Sequence, residues 1–190
     1  MEKKYFDEEV FAGTSFAEET RDGFEYIECV FRKCDFSYAA FLDCSFEDCV
    51  FENCNFSMTK MDRSVHESSG FGHCKIQGVD FGQCAGGMFK VHFMFSSISY
   101  SAFIGKKMPK TVFSHCDLKA VDFSSCDLSD SRFDLCVLPD CIFHDTQLDT
   151  VDFSSASQYR IDPENNSLKG ARFDVSGLSG LLEQYGIVIV

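Results

Sequence analysis

Apolar residues recur every five positions along most of this chain, a spacing that belongs neither to a helix nor to a single strand. In residues 29–56, CVFRKCDFSYAAFLDCSFEDCVFENCNF, a phenylalanine stands at every fifth position, and a small residue, mostly cysteine, stands two positions before each one. An α-helix repeats its faces every 3.6 residues and a strand every two, so neither keeps a period of five on one side. The pattern predicts a short unit that turns a corner every five residues, and this repetition decides the fold.

The period of five continues over most of the chain with one change of phase. Central apolar positions keep one phase up to Phe81 and resume at Met88, seven residues later. We therefore predict a two-residue insertion near residues 82–87, with Gly86 and Gly87 at a projecting turn. With this insertion, every fourth unit falls into register, and one predicted inward column contains only phenylalanine: Phe11, Phe31, Phe51, Phe71, Phe93, Phe113, Phe133 and Phe153.

These units resemble those of the pentapeptide repeat family, in which a small residue, a polar residue, Phe or Leu, and two further polar residues follow one another. The clearest examples are residues 121–125 (VDFSS), 126–130 (CDLSD) and 151–155 (VDFSS). The resemblance implies an all-β fold, a right-handed quadrilateral parallel β-helix with four units per coil. The small and central residues of each unit are expected to point inward. Over residues 1–156 this gives about 7.5 coils, a rod roughly 36 Å long at ~4.8 Å per coil.

Residues 157–190 leave the repeat and are predicted to form a C-terminal module with a short helix followed by a strand. Ser176 is a suitable N-cap and Gly186 a natural stop for the helix, and residues 187–190 are the expected strand. The apolar residues of this module form either a cap over the last coil or, as we favour, a homodimer interface. The predicted interface consists of Leu178, Leu181, Leu182, Tyr185, Ile187, Val188, Ile189 and Val190.

All eleven cysteines occupy the small inward position of their units. Ala, Val, Ser and Thr share that position elsewhere, so it selects a small side chain, and a free cysteine behaves as a small buried hydrophobe. Parallel side chains in a reducing compartment do not favour disulfides. The sequence therefore predicts buried, unpaired thiols that serve core packing.

The sequence predicts no catalytic residue, no metal site and no cofactor. The pairs His73–Cys74 and His115–Cys116 resemble metal-ligand pairs, but each cysteine points inward, each histidine points outward, and two coils separate the pairs. No nucleophile–base pair, phosphate-binding loop or dinucleotide fingerprint occurs. The chain also lacks an apolar run long enough to span a membrane and a signal-peptide pattern, so a cytoplasmic location is expected.

Charge is unevenly distributed along this acidic chain, whose net charge is −13. Between residues 117 and 152, nine aspartates face only Lys119 and Arg132, a net charge of −7, whereas residues 81–116 contain no acidic residue. Acids that repeat every ~4.8 Å along a rod have a spacing comparable to that of duplex phosphates. They form the predicted acidic partner-binding face, and repulsion disfavours direct nucleic-acid binding. Its residues are Asp117, Asp122, Asp127, Asp130, Asp134, Asp140, Asp145, Asp149 and Asp152.

The C-terminal module, YRIDPENNSL followed by GLSGLLEQYGIVIV, is similar to the end of the quinolone-resistance (Qnr) branch of this family. This resemblance implies a homodimer, joined through its tails, that mimics DNA and binds type II topoisomerases, DNA gyrase or topoisomerase IV. It also implies protection of those enzymes from quinolones or gyrase-directed toxins. Many Qnr proteins carry two long projecting loops important for protection, whereas only two inserted residues are evident here, so binding is better supported than protection. Drug resistance, toxin immunity and topoisomerase regulation all remain open as the natural role.

Two other functions are alternatives to this one. The first is a pentapeptide repeat scaffold for an unrelated protein, which would contact the aromatic residues Phe89, Phe95 and Tyr100. The second is an enzyme, which has the least support because no catalytic constellation is visible. We therefore predict a non-catalytic binding protein.

Overall fold

The computed structural model describes residues 4–86 and 89–188. The described chain is a parallel β-helix, built from very short strands that pair in parallel with the strand one coil away. Three 3-10 helices span Phe81–Gln83, Val175–Leu181 and Glu183–Tyr185. The strands are β1 (Tyr5–Asp7), β2 (Val10–Ala12), β3 (Thr20–Asp22), β4 (Glu25–Ile27), β5 (Val30–Arg32), β6 (Ala40–Leu42), β7 (Ser45–Glu47), β8 (Val50–Glu52), β9 (Val65–Glu67), β10 (Ser69–Gly72), β11 (Lys75–Gln77), β12 (Val91–Met94), β13 (Ser97–Ser99), β14 (Val112–Ser114), β15 (Arg132–Asp134), β16 (Thr146–Gln147), β17 (Asp152–Phe153), β18 (Asn166–Ser167) and β19 (Arg172–Phe173).

Each coil has four sides, and we name them faces 1 to 4 by the central residues that stack along them. Face 1 carries Phe6, Tyr26, Phe46, His66, Phe89, Met108, Leu128, Leu148 and Leu168. Face 2 carries Phe11, Phe31, Phe51, Phe71, Phe93, Phe113, Phe133, Phe153 and Phe173. Face 3 carries Phe16, Phe36, Phe56, Ile76, Ile98, Leu118 and Leu138. Face 4 carries Arg21, Phe41, Met61, Phe81, Phe103, Phe123 and Phe143.

Face 2 holds the most regular sheet, nine strands in the order β2, β5, β8, β10, β12, β14, β15, β17 and β19. Face 1 has a four-stranded sheet, β1-β4-β7-β9, and a pair, β16-β18; faces 3 and 4 contribute the pairs β11-β13 and β3-β6. Elsewhere neighbouring coils are joined by isolated parallel bridges. The predicted four-sided parallel β-helix is confirmed, and its nine strands on face 2 mark eight coil-to-coil steps.

The phenylalanine column predicted from the sequence is confirmed on face 2. Its rings stack on one another with centroids 4.8–5.3 Å apart. Rings on adjacent faces meet edge to face, as Phe31 and Phe36 do at 5.6 Å and 66°, and so do rings on opposite faces, as Phe113 and Phe123 do at 5.8 Å and 80°. Because offset-stacked and edge-to-face arrangements are the favourable ones for aromatic pairs, each ring is stabilised both along and across the rod.

The small inward position is selected for hydrogen bonding as well as for size. The Sγ of Cys54 donates to the carbonyl of Phe31 at 3.4 Å, the Sγ of Cys126 to Phe103 at 2.9 Å, and Thr59 Oγ1 to Phe36 at 2.8 Å. In each case the acceptor is the carbonyl of a central residue in the preceding coil, 23 positions earlier in the chain. All eleven cysteines are free and buried, as predicted. Burial raises the pKa of Cys49, Cys126 and Cys141 to about 12, which keeps these thiols protonated as donors.

The corners of the coils have a left-handed backbone at the second residue after most central positions. Non-glycine residues with positive φ follow one another at intervals of five, as at Glu28, Lys33, Tyr38, Asp43 and Asp48. A left-handed residue other than glycine costs roughly 1–2 kcal/mol. The corners therefore persist because stacked coils hold them, not because the local sequence prefers that conformation.

The insertion lengthens one coil from 20 to 22 residues, since β10 pairs with β12 so that Phe71 lies opposite Phe93. Phe89, not the predicted Met88, takes the inward position on face 1. Its N–H donates to the Lys107 carbonyl, and its ring lies 5.6 Å from that of Phe81. Three extra residues thus precede Phe89 and one fewer follows it.

The turn predicted for the insertion is only partly described. Gly86 is exposed, whereas Gly87 and Met88 lie outside the described residues. A 3-10 helix at Phe81–Gln83 begins the insertion, and the carboxylate of Asp80 caps it by accepting from the N–H of Gly82 at 2.9 Å.

The β-helix continues beyond the predicted boundary at residue 156. Strands β18 and β19 pair with β16 and β17, and the ring of Phe173 stacks on that of Phe153 at 5.3 Å. Leu168 is packed against the same core. The pairing replaces the boundary at 156 with one near residue 173, because the backbone register persists where the five-residue sequence motif no longer does.

The C-terminal helix differs from the prediction in type and in its cap. It is a 3-10 helix capped by Asp174, whose carboxylate accepts from the N–H and hydroxyl of Ser176, the predicted N-cap. Gly186 ends the helical segment with φ 62°, as expected. Residues 187–188 are not in a strand, and Ile189 and Val190 lie outside the described residues.

Two glycines let this helical segment close the last coil. A Cβ on Gly180 would lie 2.1 Å from the carbonyl oxygen of Tyr159, and one on Gly177 would lie 2.0 Å from its hydroxyl. The carbonyl of Gly180 accepts from the N–H of Ile161 at 3.0 Å, and Leu181 packs against the core. The segment is therefore a cap on its own coil, whether or not it also joins two chains.

We expect Phe51→Ala to lower the free energy of unfolding by about 3–5 kcal/mol, because a fully buried ring in the face 2 column leaves a cavity. Urea unfolding followed by circular dichroism measures the change. Phe95→Ala is the matched control, since Phe95 is 47% exposed and its loss should cost far less. Equal losses for the two variants would contradict the inward column.

Candidate functional site

The nine aspartates of the predicted acidic face point outward, but they are spread around the rod. Consecutive units of five residues occupy successive faces of a coil, so acids in consecutive units cannot share one face. None of them is buried. We call these nine residues the acidic girdle: Asp127, Asp130 and Asp149 lie on face 1, Asp134 and Asp152 on face 2, Asp117 and Asp140 on face 3, and Asp122 and Asp145 on face 4.

Hydrogen bonds within the same corner of the coil also hold several carboxylates of the girdle in place. Asp122, Asp127 and Asp152 each accept from the backbone N–H two residues later, at 2.8–3.0 Å. The hydroxyl and N–H of Ser154 lower the pKa of Asp152 below its ordinary value. Asp134 forms an ion pair with Arg132. These aspartates combine a structural role in the turn with an outward negative charge.

A second acidic cluster, which the sequence reasoning missed, covers the N-terminal half of face 1. All its members are exposed, and Lys90 pairs with one of them, Glu67, at 3.1 Å. The signal was present in the sequence as a 20-residue repeat of acids at outward positions. Its residues are Asp7, Glu8, Glu25, Glu28, Glu47, Asp48 and Glu67.

Lys106, one of the four lysines of the acid-free stretch, is buried rather than displayed. It stands at the small inward position before Met108, and its Nζ donates to the carbonyls of Cys84 and Ala85 at 2.6 and 3.4 Å. A buried ammonium needs such acceptors, because desolvating an unpaired charge is costly. Lys106 thus anchors the inserted segment, which leaves Lys90, Lys107 and Lys110 as the exposed cations of this stretch.

His66 is a core residue and not part of a site. Its ring stacks on Phe46 at 5.0 Å and meets Phe89 edge to face at 5.6 Å, and both its nitrogens are buried without a hydrogen-bond partner. Burial lowers the pKa of His66 to about 3, and the positive charge of Lys106 adds to the effect. His66 is therefore neutral at physiological pH.

Residues 4–86 and 89–188 contain neither a cluster of metal ligands nor a helix that could span a membrane. No group of three or more His, Cys, Asp or Glu side chains is arranged to hold a metal ion there. No helix among the same residues is long and apolar enough to cross a membrane.

The three aromatics suggested as a docking patch behave differently from one another. Phe89 was expected to point outward but is 3% exposed, because it fills the inward position beside the insertion. Phe95 is 47% exposed and stacks between the rings of His73 and His115, at 5.0 and 4.6 Å. Tyr100 is also exposed. Two of the three therefore remain available on the surface.

The predicted dimer interface is exposed in part. Leu178, Tyr185, Ile187 and Val188 are exposed, whereas Leu181 and Leu182 are half-buried in the cap. The Tyr185 hydroxyl donates to the Glu164 carboxylate at 2.9 Å. Ile189 and Val190 lie outside the described residues, and Val175, which was not predicted, adds a further exposed apolar side chain.

Comparisons with known proteins agree with this architecture. Residues 74–153 match a family model described as a pentapeptide repeat region, and residues 29–65 match one described as pentapeptide repeats in eight copies. No curated protein sequence is significantly similar to the chain.

Solved structures of QnrB1, described as a plasmid-mediated fluoroquinolone resistance protein, share the fold. Full-length QnrB1 has a TM-score of 0.62 and 18% identity, over 96% of this chain and 100% of QnrB1. A trypsin-treated QnrB1 variant has a TM-score of 0.58 and 18% identity, over 98% of this chain and 99% of the variant. Similarity at these identities is a statement about the fold alone.

Stability should fall on acidification because of His66. Its pKa is depressed from an ordinary 6.5 to about 3 in the folded state, so the unfolded state takes up a proton first. Above pH 6.5 His66 is neutral in both the folded and the unfolded state and does not affect stability. Between pH 6.5 and about 3 it lowers the free energy of unfolding by about 1.4 kcal/mol for each pH unit of acidification. We expect His66→Phe to remove this slope between pH 6 and 5, measured by urea unfolding at each pH.

Phe56→Leu, a buried change on face 3 that leaves His66 and every titratable group in place, is the control for this experiment. Carboxylates titrate in all three proteins, so Phe56→Leu should keep the pH dependence of the parent. A His66→Phe variant with the parental slope would show that His66 does not carry the effect.

Proposed function

The chain belongs to the pentapeptide repeat family, and from that premise we propose that it is a non-catalytic DNA mimic that binds a type II topoisomerase, DNA gyrase or topoisomerase IV. Protection of that enzyme from quinolones or gyrase-directed toxins is part of the proposal. Support for protection comes from QnrB1, a fluoroquinolone resistance protein that matches nearly the whole chain in fold.

The observation that carries the proposal is the acidic girdle. Its carboxylates surround the rod and recur at the rise of one coil, ~4.8 Å. Duplex DNA likewise carries phosphates around its axis, one charge per ~1.7 Å of length. A basic surface shaped for DNA therefore meets negative charge from whichever side it approaches this part of the rod.

Homodimerisation through the C-terminal segment would extend this surface. The cap docks onto its own coil through Gly180 and Leu181 and leaves Val175, Leu178 and Val188 exposed. Exposed apolar residues concentrated in one short segment are a feature of interaction sites. Since the girdle lies in the coils next to the cap, joining two tails would bring two girdles together about one twofold axis.

A scaffold for an unrelated protein is the second candidate, and one observation favours it. Phe95, held between two histidine rings, and Tyr100 are both exposed in the stretch without acidic residues. Such aromatic side chains are enriched at protein interfaces and do not resemble a DNA surface. Failure to bind any topoisomerase, with the fold intact, would leave this candidate in its place.

Neutralising part of the girdle should weaken inhibition of a topoisomerase. We expect the quadruple variant Asp122→Asn, Asp127→Asn, Asp130→Asn and Asp149→Asn to fold normally, because asparagine keeps an acceptor oxygen at each corner. Its half-inhibitory concentration in a gyrase supercoiling assay should rise at least about tenfold, equivalent to about 1.4 kcal/mol. Inhibition by the parent should also fall with added salt, because ions screen exposed charges.

The control removes four acids from the N-terminal end of face 1, Glu25→Gln, Glu28→Gln, Glu47→Gln and Asp48→Asn. This variant has the same net charge as the first, so a difference between them locates the effect in the girdle. Full inhibition by the girdle variant at low salt would contradict charge mimicry.

Charge introduced on the exposed side of the cap should produce monomers. We expect Leu178→Glu with Val188→Glu to halve the mass measured by light scattering, because two carboxylates would be buried in the interface. Val10→Glu, at an exposed valine at the other end of the rod, should leave the mass unchanged. A monomeric parent would refute the dimer without touching the topoisomerase proposal.

A further inference from the structure

An apolar groove of about 720 Å³ lies at the corner between faces 1 and 2, next to the insertion. Lys90, His92 and Met94 line it from one coil, and Pro109, Lys110 and Val112 from the next. Phe93 follows Phe89 by four positions where the usual spacing is five, so this corner is one residue shorter than those of neighbouring coils. The groove is thus a consequence of the way the chain absorbs its insertion.

The floor of the groove is apolar and continues along face 2. Met94 is 43% exposed there, and a smaller depression beyond it is lined by Gly70, Gly72, His92 and Met94. The imidazole of His92 occupies the space above Gly70, where a Cβ would lie 2.5 Å from its Nε2. Gly70 thus makes room for the His92 ring, whereas the space at Gly72 stays open beside Met94, where a Cβ would meet only the Phe51 carbonyl oxygen, at 3.9 Å.

The rim of the groove is positively charged. Lys90 and Lys110 line it and Lys107 stands on the same face, while residues 81–116 supply no acid to neutralise them. Lys90 is paired with Glu67 at 3.1 Å, but among the described residues Lys107 and Lys110 form no ion pair. A rod of net charge −13 thus presents a local cationic rim beside an apolar floor.

We propose that this groove binds a short acidic segment of a partner protein, with one bulky apolar side chain on the Met94 and Val112 floor and carboxylates at the lysines. The size is within the range of ligand sites, about 300–1,000 Å³. Charge complementarity selects the acidic partner, because opposite potentials fix register and exclude wrong partners. The proposal concerns a different surface from the girdle and does not depend on topoisomerase binding.

A nucleic acid fits the same surface less well. The basic patch is bounded along the rod by Glu67 on one side and by Asp127 and Asp130 on the other, each one coil from a lysine. A polyanion longer than about 10 Å, two coil steps, would meet these carboxylates. A short peptide stays within the patch, and its apolar side chain gains from the floor, which phosphates would not use.

The test measures fluorescence anisotropy of three labelled probes added to the full chain. They are the four-residue peptide Asp-Leu-Phe-Glu, whose two acidic residues lie about 10 Å apart when the chain is extended, the peptide Asp-Ser-Gly-Glu, and an oligothymidylate of equal charge. The variants are Lys107→Glu with Lys110→Glu for the rim and Met94→Asp for the floor. Lys75→Glu with Lys119→Glu, at exposed lysines on face 3, is the control of equal charge change.

We expect the Leu-Phe peptide to bind the parent and the face 3 control equally, and each groove variant at least tenfold more weakly. The Ser-Gly peptide should bind the parent more weakly than the Leu-Phe peptide. No binding of the Leu-Phe peptide to the parent overturns the proposal, as does equal weakening by the groove and face 3 variants. Tighter binding of the oligothymidylate would show that the rim serves nucleic acid instead. Circular dichroism of each variant excludes unfolding as the cause.

Discussion

The fold depends on the agreement between two distances, the spacing of hydrogen-bonded strands and the stacking distance of aromatic rings. Parallel strands lie ~4.7–4.9 Å apart, and the face 2 rings stack with centroids 4.8–5.3 Å apart. A residue repeated every 20 positions therefore satisfies the backbone and the core at once. The same agreement holds the left-handed corners, since a residue such as Tyr38 or Asp43 is over-determined by the coils on either side.

The stacked core leaves one polar requirement, which the small inward residues meet. Cysteine and threonine donate to carbonyls of the preceding coil, so the buried thiols and hydroxyls at these positions have acceptors. Lys106 departs from this pattern beside the inserted segment, about one coil further along the chain. The inserted segment supplies the carbonyls of Cys84 and Ala85 as acceptors, and an ammonium fits where a small side chain stands elsewhere. The insertion and the buried lysine therefore depend on each other, because the inserted segment supplies the acceptors and the lysine holds that segment in place.

Features of the fold that follow from the five-residue repeat could be predicted from the sequence. Features that depend on individual side-chain contacts could be predicted less well. The phenylalanine column and the parallel β-helix follow from the period alone. The phase break shows that two residues are inserted in total, but it does not show whether Met88 or Phe89 is the inward residue. The packing of the Phe89 ring against that of Phe81 decides the position. Asp174 takes the helix cap from Ser176 through hydrogen bonds that depend on the turn. The spread of the acids around the rod, by contrast, was already contained in the register.

A solenoid lets charge vary along its length without disturbing the core, because outward positions carry no packing. The chain uses this freedom to place acids at both ends of face 1 and lysines between them. One continuous basic surface cannot pair with all three zones, since it would face Lys107 and Lys110 at the middle. A partner that binds the acidic girdle must therefore have a basic surface that stops before these lysines, or must place a negatively charged group opposite them. Charge order along the rod thus divides it into three zones, the N-terminal acids, the lysines and the acidic girdle, and the insertion lies between the first two.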